Sequence, residues 1–191
     1  MSPSASATLQ DFVVVLDDAL PRDYSDRVLG EYQPSELWRP GEIQEKVSGE
    51  GVRNCHIIDI SHPDAVDDKP ERHQLLVEMT TLAQGWFAAY QDAVGVTIGV
   101  SGRTGIVLAR YREGGFYRSH HDAHGEEVRA LTAIAVPYSD FSGGALSFFH
   151  GEHVVDLMPG QACLFPSTFQ YPHAVEPVVH GTRYSLITWL R

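Results

Sequence analysis

The spacing of apolar positions along the chain changes near residue 104. Before it, the clearest period is helical: Leu75, Met79, Leu82, Trp86 and Tyr90 recur every three or four residues, with Leu76, Ala83 and Phe87 widening the stripe. This predicts a helix from Pro70 to Val94 with one face against a core. Asp68 suits its cap and Pro70 its first turn. The aromatic residues on the stripe read as helix-on-sheet packing rather than as a ligand box. A shorter helix is predicted from Leu20-Pro21 to Tyr32, an entry or edge strand at 11–17 (DFVVVLD), and strand character from Val52 to Ile60. Between them, residues 33–51 are rich in Pro, Gly and charge and read as a loop or flap.

From Thr104 onward the texture is one of short apolar runs, at 104–111, 115–121, 128–136, 145–149, 153–157, 161–165, 171–176 and 182–190, separated by Gly, Pro and Asp. Gly143-Gly144 and Pro159-Gly160 are strong turn signals. Evenly spaced short strands after a helical preface predict an α+β, mainly β fold: a closed or two-sheet core such as a jelly roll, with the N-terminal helices covering one sheet. We expect one domain over 1–191, with 1–103 as support and 104–190 as the β core.

Composition narrows the function. The chain has 191 residues, 43% hydrophobic and 20% charged, which is globular. With a net charge of −11 and no Lys/Arg run, nucleic acid is not an expected partner. No stretch approaches the roughly 20 apolar residues of a membrane span. The opening MSPSASATLQDF lacks a charged start followed by an apolar run, so a cytoplasmic monomer or small homo-oligomer is expected. Cys55 and Cys163 both sit in apolar runs and read as buried free thiols rather than a disulfide framework.

Ten histidines raise the question of a metal. His56, His62, His73 and His180 stand alone, and His150 and His153 flank a predicted hairpin tip with no third ligand near. His120-x-Asp122 differs, because residues two apart on a strand point the same way and can grip one ion. Two imidazoles and one carboxylate leave open positions on Fe(II), which oxygen chemistry needs. The third ligand is expected from a distant strand, and His173 opens the run Tyr171-Pro172-His173-Ala174-Val175. Ten residues later Arg183 begins an otherwise apolar strand, an odd place for a guanidinium unless it meets a carboxylate. Ser185 and Trp189 share its face by alternation. A structural salt bridge is the other reading of Arg183.

At these residues the sequence resembles the 2-oxoglutarate- and Fe(II)-dependent dioxygenases, in particular their prolyl-4-hydroxylase-like branch. The resemblance rests on the stretch from Tyr111 through Gly114-Gly115, Tyr117 and His120-His121-Asp122. It continues in Arg129-Ala130-Leu131-Thr132, Gly143-Gly144, and Pro172-His173 through Gly181-Thr182-Arg183. It implies a double-stranded β-helix with Fe(II) on His120, Asp122 and His173, and 2-oxoglutarate anchored by Arg183. Tyr111, Thr132 and Ser185 are implied secondary contacts, with O2 as co-substrate and ascorbate as reductant. Hydroxylation of an unactivated C–H bond would release succinate and carbon dioxide. Val136 stands where some members carry a Tyr that touches the oxo-acid, and Asp122 argues against the related halogenases.

The substrate is expected to be a small molecule or peptide, a proline or another amino-acid-like group. Arg112, Arg118, His124, Trp189 and Trp38 are its candidate contacts, and 33–51 a candidate lid; a surface loop whose Trp38 packs on the long helix is the other reading. Two alternatives stay open: desaturation, cyclisation or demethylation at the same centre, and a metal-binding cupin-like module without turnover. A guanidinium ten residues after the last ligand argues against the second.

Overall fold

The computed structural model describes residues 7–41, 51–66, 69–99, 102–123 and 129–191. Three helices form, α1 (Arg22–Tyr32), α2 (Pro63–Val66) and α3 (Pro70–Val94). The apolar stripe of α3 buries Leu75, Met79, Ala83, Trp86, Phe87 and Tyr90 on one face. The capping position falls on Lys69, and Pro70 sits in the first turn, where its missing N–H costs nothing; Asp68 lies outside the described residues.

The strands are β1 (Val14–Leu16), β2 (Arg39–Pro40), β3 (Arg53–Asn54), β4 (His56–Asp59), β5 (Arg103–Arg112), β6 (Phe116–His120) and β7 (Leu131–Ala135). They continue as β8 (Phe141–Gly143), β9 (Leu146–Phe148), β10 (His153–Val155), β11 (Ala162–Pro166), β12 (His173–Val175) and β13 (Val178–Leu190). They form two antiparallel sheets. The large one runs β1-β11-β7-β13-β5-β4-β2 with β8 joined to β13, and the small one β10-β9-β12-β6-β3.

Alternation along β13 shows how the layers stack. Tyr184, Leu186 and Leu190 join the cluster holding Met79 and Trp86, so that face of the large sheet is covered by helices. Ile187 and Trp189 point the other way, into a second cluster with Leu146 and Phe148 of β9. The helices therefore lie on one face of the large sheet, and the small sheet closes over the other. This is the jelly-roll architecture that the run of short strands predicts.

Three differences from the sequence pattern have local causes. The 11–17 run splits into a 3₁₀ turn (Leu9–Phe12) and the three-residue edge strand β1. The strand-like stretch 52–60 is two strands in different sheets: β3 pairs with β6, β4 pairs with β5, and Cys55 is the corner between them. The 33–51 segment carries a short strand, β2, paired with β4, while residues 42–50 lie outside the described residues.

The α3 stripe makes a checkable claim. Met79 is fully buried, so Met79→Ala should lower unfolding free energy by about 2–5 kcal/mol. Val77 on the same helix is 51% exposed, and Val77→Ala should stay within about 0.5 kcal/mol in the same urea titration.

Candidate metal centre

His120 ends β6 and His173 begins β12, and the two are cross-strand partners in register. Each ring is aimed by its own backbone. His120 Nδ1 lies 2.9 Å from the Arg118 carbonyl, and His173 Nδ1 lies 3.1 Å from the Tyr171 carbonyl. A carbonyl can only accept, so both protons sit on Nδ1 and both Nε2 lone pairs are available to a metal. The two Nε2 atoms stand 3.5 and 3.7 Å from the Asp122 carboxylate. All three donor atoms fall within 4.8 Å of one another, and among the described residues no other group of His, Cys, Asp or Glu does this.

Asp122 lies just beyond β6, where its backbone N–H donates to the Ser167 carbonyl at 3.1 Å. Its carboxylate reaches across to the large sheet. Thr132 Oγ1 donates to Oδ2 at 2.7 Å, and Trp189 Nε1 donates to the same oxygen at 3.0 Å. Because the one Thr132 hydroxyl proton is spent there, the 2.8 Å contact with Ser167 Oγ is donated by Ser167. Oδ1 is thereby left as the oxygen for an ion.

Burial dominates the protonation of His173 and holds it down at about 4, so the ring is neutral at pH 7. Burial works against the charge on Asp122 as well, but His173, His120 and the Trp189 indole beside it keep the carboxyl well below its usual range. A neutral His173 imidazole and an ionised Asp122 carboxylate are the protonation states that bind a divalent ion.

The triad opens into a cavity of about 500 Å³ whose walls include Tyr111, Ile134, Ser185 and Trp189. Arg183 lies behind this wall, 1% exposed. One terminal nitrogen donates to Ser185 Oγ, while Nη2 has no hydrogen-bond partner. Among the described residues no carboxylate lies within ion-pair distance of it, which removes the structural salt bridge as its explanation. Gly144 makes room for its stem: φ is +72°, and a Cβ there would stand 2.6 Å from Arg183 Cδ. Tyr111 is fully buried with its ring 5.8 Å from the guanidinium, and burial raises its pKa, so it stays a neutral phenol.

The remaining candidates divide. Trp189 reaches the cavity, but its indole N–H is committed to Asp122. Thr132, expected beside the oxo-acid, instead spends its hydroxyl on Asp122 and Ser167. Trp38, a candidate for the mouth, is on the opposite face of the large sheet. Its Nε1 donates to the Tyr32 carbonyl at 2.8 Å, and its ring lies 6.2 Å from Tyr184. Its neighbours Arg39 and Pro40 line the cavity instead. Arg112 is exposed and away from the cavity, and Arg118 donates to the Gly51 carbonyl on the outer side of β6. His124 lies outside the described residues. Arg53, Asp59 and Arg129 are cavity residues that the sequence pattern did not single out.

Comparison with known proteins finds the same likeness in the β core. Residues 106–191 match the model of the 2OG-Fe(II) oxygenase superfamily. That match takes in less than half of the chain and marks the stretch from β5 to β13 as similar to this superfamily. Among relatives, a PKHD-type hydroxylase of Idiomarina loihiensis is 34% identical over 92 residues, covering 45% of this chain and 41% of the relative. One from Paracoccus denitrificans is 32% identical over 92 residues, covering 42% and 40%. The chain thus spans about two fifths of the length of these relatives. Among solved structures, a Trichoplax adhaerens prolyl hydroxylase in complex with a hypoxia inducible factor peptide fragment superposes with a TM-score of 0.73 at 22% identity. That match covers 94% of this chain and 83% of the other. A Pseudomonas putida prolyl-4-hydroxylase superposes with a TM-score of 0.67 at 23% identity, covering 94% and 92%. Both share the fold of this chain.

The donor set fits the superfamily's iron, because nitrogen and carboxylate oxygen without thiolate suit Fe(II) and three ligands leave positions open. The unspent Nη2 of a buried guanidinium fits a carboxylate of 2-oxoglutarate. If Thr132 positions Asp122 rather than the oxo-acid, Thr132→Val should lower Fe(II) affinity by about 10- to 100-fold in a competition titration. The affinity of the iron-saturated protein for 2-oxoglutarate should change little.

Proposed function

We propose that this chain is a 2-oxoglutarate-dependent Fe(II) oxygenase that hydroxylates an unactivated C–H bond of a proline or another amino-acid-like group, free or within a peptide. The observation that carries the reading is the pairing of an open His120–Asp122–His173 triad with a buried guanidinium that lies behind the Ser185 wall of the same cavity and lacks an acid partner among the described residues. The prolyl hydroxylase of Trichoplax, which shares the fold, is bound to a peptide fragment, and this supports an amino-acid-like substrate.

When bound, Fe(II) with 2-oxoglutarate and O2 supplies the oxidation: one oxygen atom enters the substrate as hydroxyl, the other enters succinate, and carbon dioxide leaves. The chain's own residues bind and orient. Arg183 takes the far carboxylate of 2-oxoglutarate with its free Nη2, while Ser185 holds the other side of the guanidinium fork. Tyr111, neutral and buried, fills the wall beside them. Trp189 and Thr132 fix the Asp122 carboxylate, so that it would present its other oxygen to an ion without swinging. A non-catalytic cupin-like module is disfavoured, since it has no use for an unpaired buried cation, which costs several kcal/mol to keep.

Supplied with Fe(II), ascorbate and 2-oxoglutarate, the protein should form succinate, and a substrate panel should show a gain of one oxygen by mass spectrometry. His120→Ala, Asp122→Ala and His173→Ala should each reduce succinate formation to background. Full activity in any one of them means that the triad is misassigned.

Co-substrate binding can be separated from the chemistry. Arg183→Lys keeps the charge but loses the fork, so KM for 2-oxoglutarate should rise by roughly tenfold with a smaller change in kcat. Arg183→Ala should raise it much further, since the buried carboxylate would have no partner. Unchanged 2-oxoglutarate kinetics in the alanine variant would return Arg183 to a structural role.

A further inference from the structure

We propose that Arg53 is a second carboxylate site in the cavity, holding a free carboxylate of the oxidised substrate, so that the preferred substrate is an acid rather than an internal residue of a long peptide. This rests on the reading of the cavity as an oxygenase site and adds to it the charge of the molecule oxidised there.

The chain carries a net charge of −11, yet the cavity is rich in guanidinium groups. Asp122 belongs to the metal. Asp59 is turned to its own strand end, with Oδ1 accepting from the Ser61 N–H at 3.0 Å and from the Ser61 hydroxyl at 2.6 Å. Arg39 and Arg53 line the same cavity, and among the described residues neither has an acidic group within ion-pair distance. Once 2-oxoglutarate occupies Arg183, the cavity keeps an excess of positive charge on an acidic protein. Such a site attracts anions and repels neutral or basic groups by comparison.

Arg53 is the better placed of the two because it is half-buried and held still. Its Nε donates to Cys55 Sγ at 3.0 Å, and its guanidinium lies 4.4 Å from the centre of the Tyr117 ring. Gly41 presses on it from outside: a Cβ at that position would stand 2.8 Å from both Arg53 Nε and Cys55 Sγ. A thiol and aromatic rings fix a guanidinium without neutralising it, which leaves a preorganised planar fork suited to a carboxylate. The Tyr117 ring beneath it stacks on His120 at 3.6 Å between centroids. An acid held at Arg53 therefore stands one aromatic ring away from a metal ligand, and a C–H bond a few bonds from that carboxylate falls beside the metal.

The test reads binding without turnover. Protein saturated anaerobically with Fe(II) and 2-oxoglutarate is titrated by calorimetry with matched pairs, proline and other free amino acids against their amides, and short peptides with free against amidated C-termini. The wild type should bind the best acid at least about tenfold tighter than its amide, the scale of one charge-assisted hydrogen bond. Arg53→Gln should remove that preference while leaving 2-oxoglutarate affinity within about twofold, as expected for a ligand anchored elsewhere. Arg53→Lys should keep part of it, and an unchanged melting temperature in both variants separates lost recognition from lost folding. The proposal is overturned if the wild type shows no acid-over-amide preference across the panel, or if the preference survives Arg53→Gln. It is also overturned if Arg53→Gln weakens 2-oxoglutarate instead, which would assign the site to the co-substrate. Succinate formation by the wild type reports separately on the oxygenase reading, so the two can fail independently.

Discussion

Asp122 leaves the small sheet just after β6, and its carboxylate crosses to the large sheet, where Thr132 of β7 and Trp189 of β13 donate to one of its oxygens. A buried carboxylate without such partners would be expensive, and with them only one oxygen remains to face an ion. The same residue holds the two histidines in a common field, since His120 and His173 belong to neighbouring strands of the small sheet while Asp122 is secured by the large one. The metal centre therefore exists only when the two sheets are correctly spaced. The packing of Ile187 and Trp189 against Leu146 and Phe148 sets that spacing, which makes the inner core as much a part of the site as its ligands.

Among the described residues, the interior holds a buried carboxylate, Asp122, and a buried guanidinium, Arg183, that do not meet. Arg183 and Asp122 both lie within the sandwich, yet no ion pair joins them among the described residues. Two opposite charges kept apart in a low-dielectric interior remain available for other partners, a divalent cation on one side and a carboxylate on the other. Pairing them directly would satisfy both and leave nothing for a ligand to do. Gly144, with no side chain to crowd the Arg183 stem, leaves room for the guanidinium behind the cavity wall.

Much of this was legible in the sequence because it depends on short-range periodicity. The 70–94 helix follows from its stripe, and the His120–Asp122 pairing from two-residue alternation at a strand end. Arg183 stood out as a charge in an apolar strand whose alternation already grouped it with Ser185 and Trp189. The misplacements share another cause. The sequence leaves Trp38 open between the mouth and the helix side and points Thr132 at the oxo-acid, but both placements depend on register between strands distant in sequence. Alternation says which residues share a face, not what the opposite strand places there. Arg53 was invisible for a related reason: it lies in a two-residue strand just before the Cys55 corner, where the chain changes sheets and the face pattern restarts.

The position of β13 has a consequence for how the protein is made. This thirteen-residue strand lies between β5 and β7 and pairs with both, although β5 and β7 come far earlier in the chain. Until it inserts, the large sheet has a gap at its centre, each flanking strand exposes an unpaired edge, and Asp122 lacks its Trp189 donor. During synthesis the chain thus carries His120 long before it can be held in a working arrangement, while His173 emerges just ahead of β13. Order arrives late and all at once, the behaviour of a fold dominated by contacts between distant segments. A ribosome-bound intermediate would be a poor trap for iron, and a redox-active centre would appear only in a chain already closed around it.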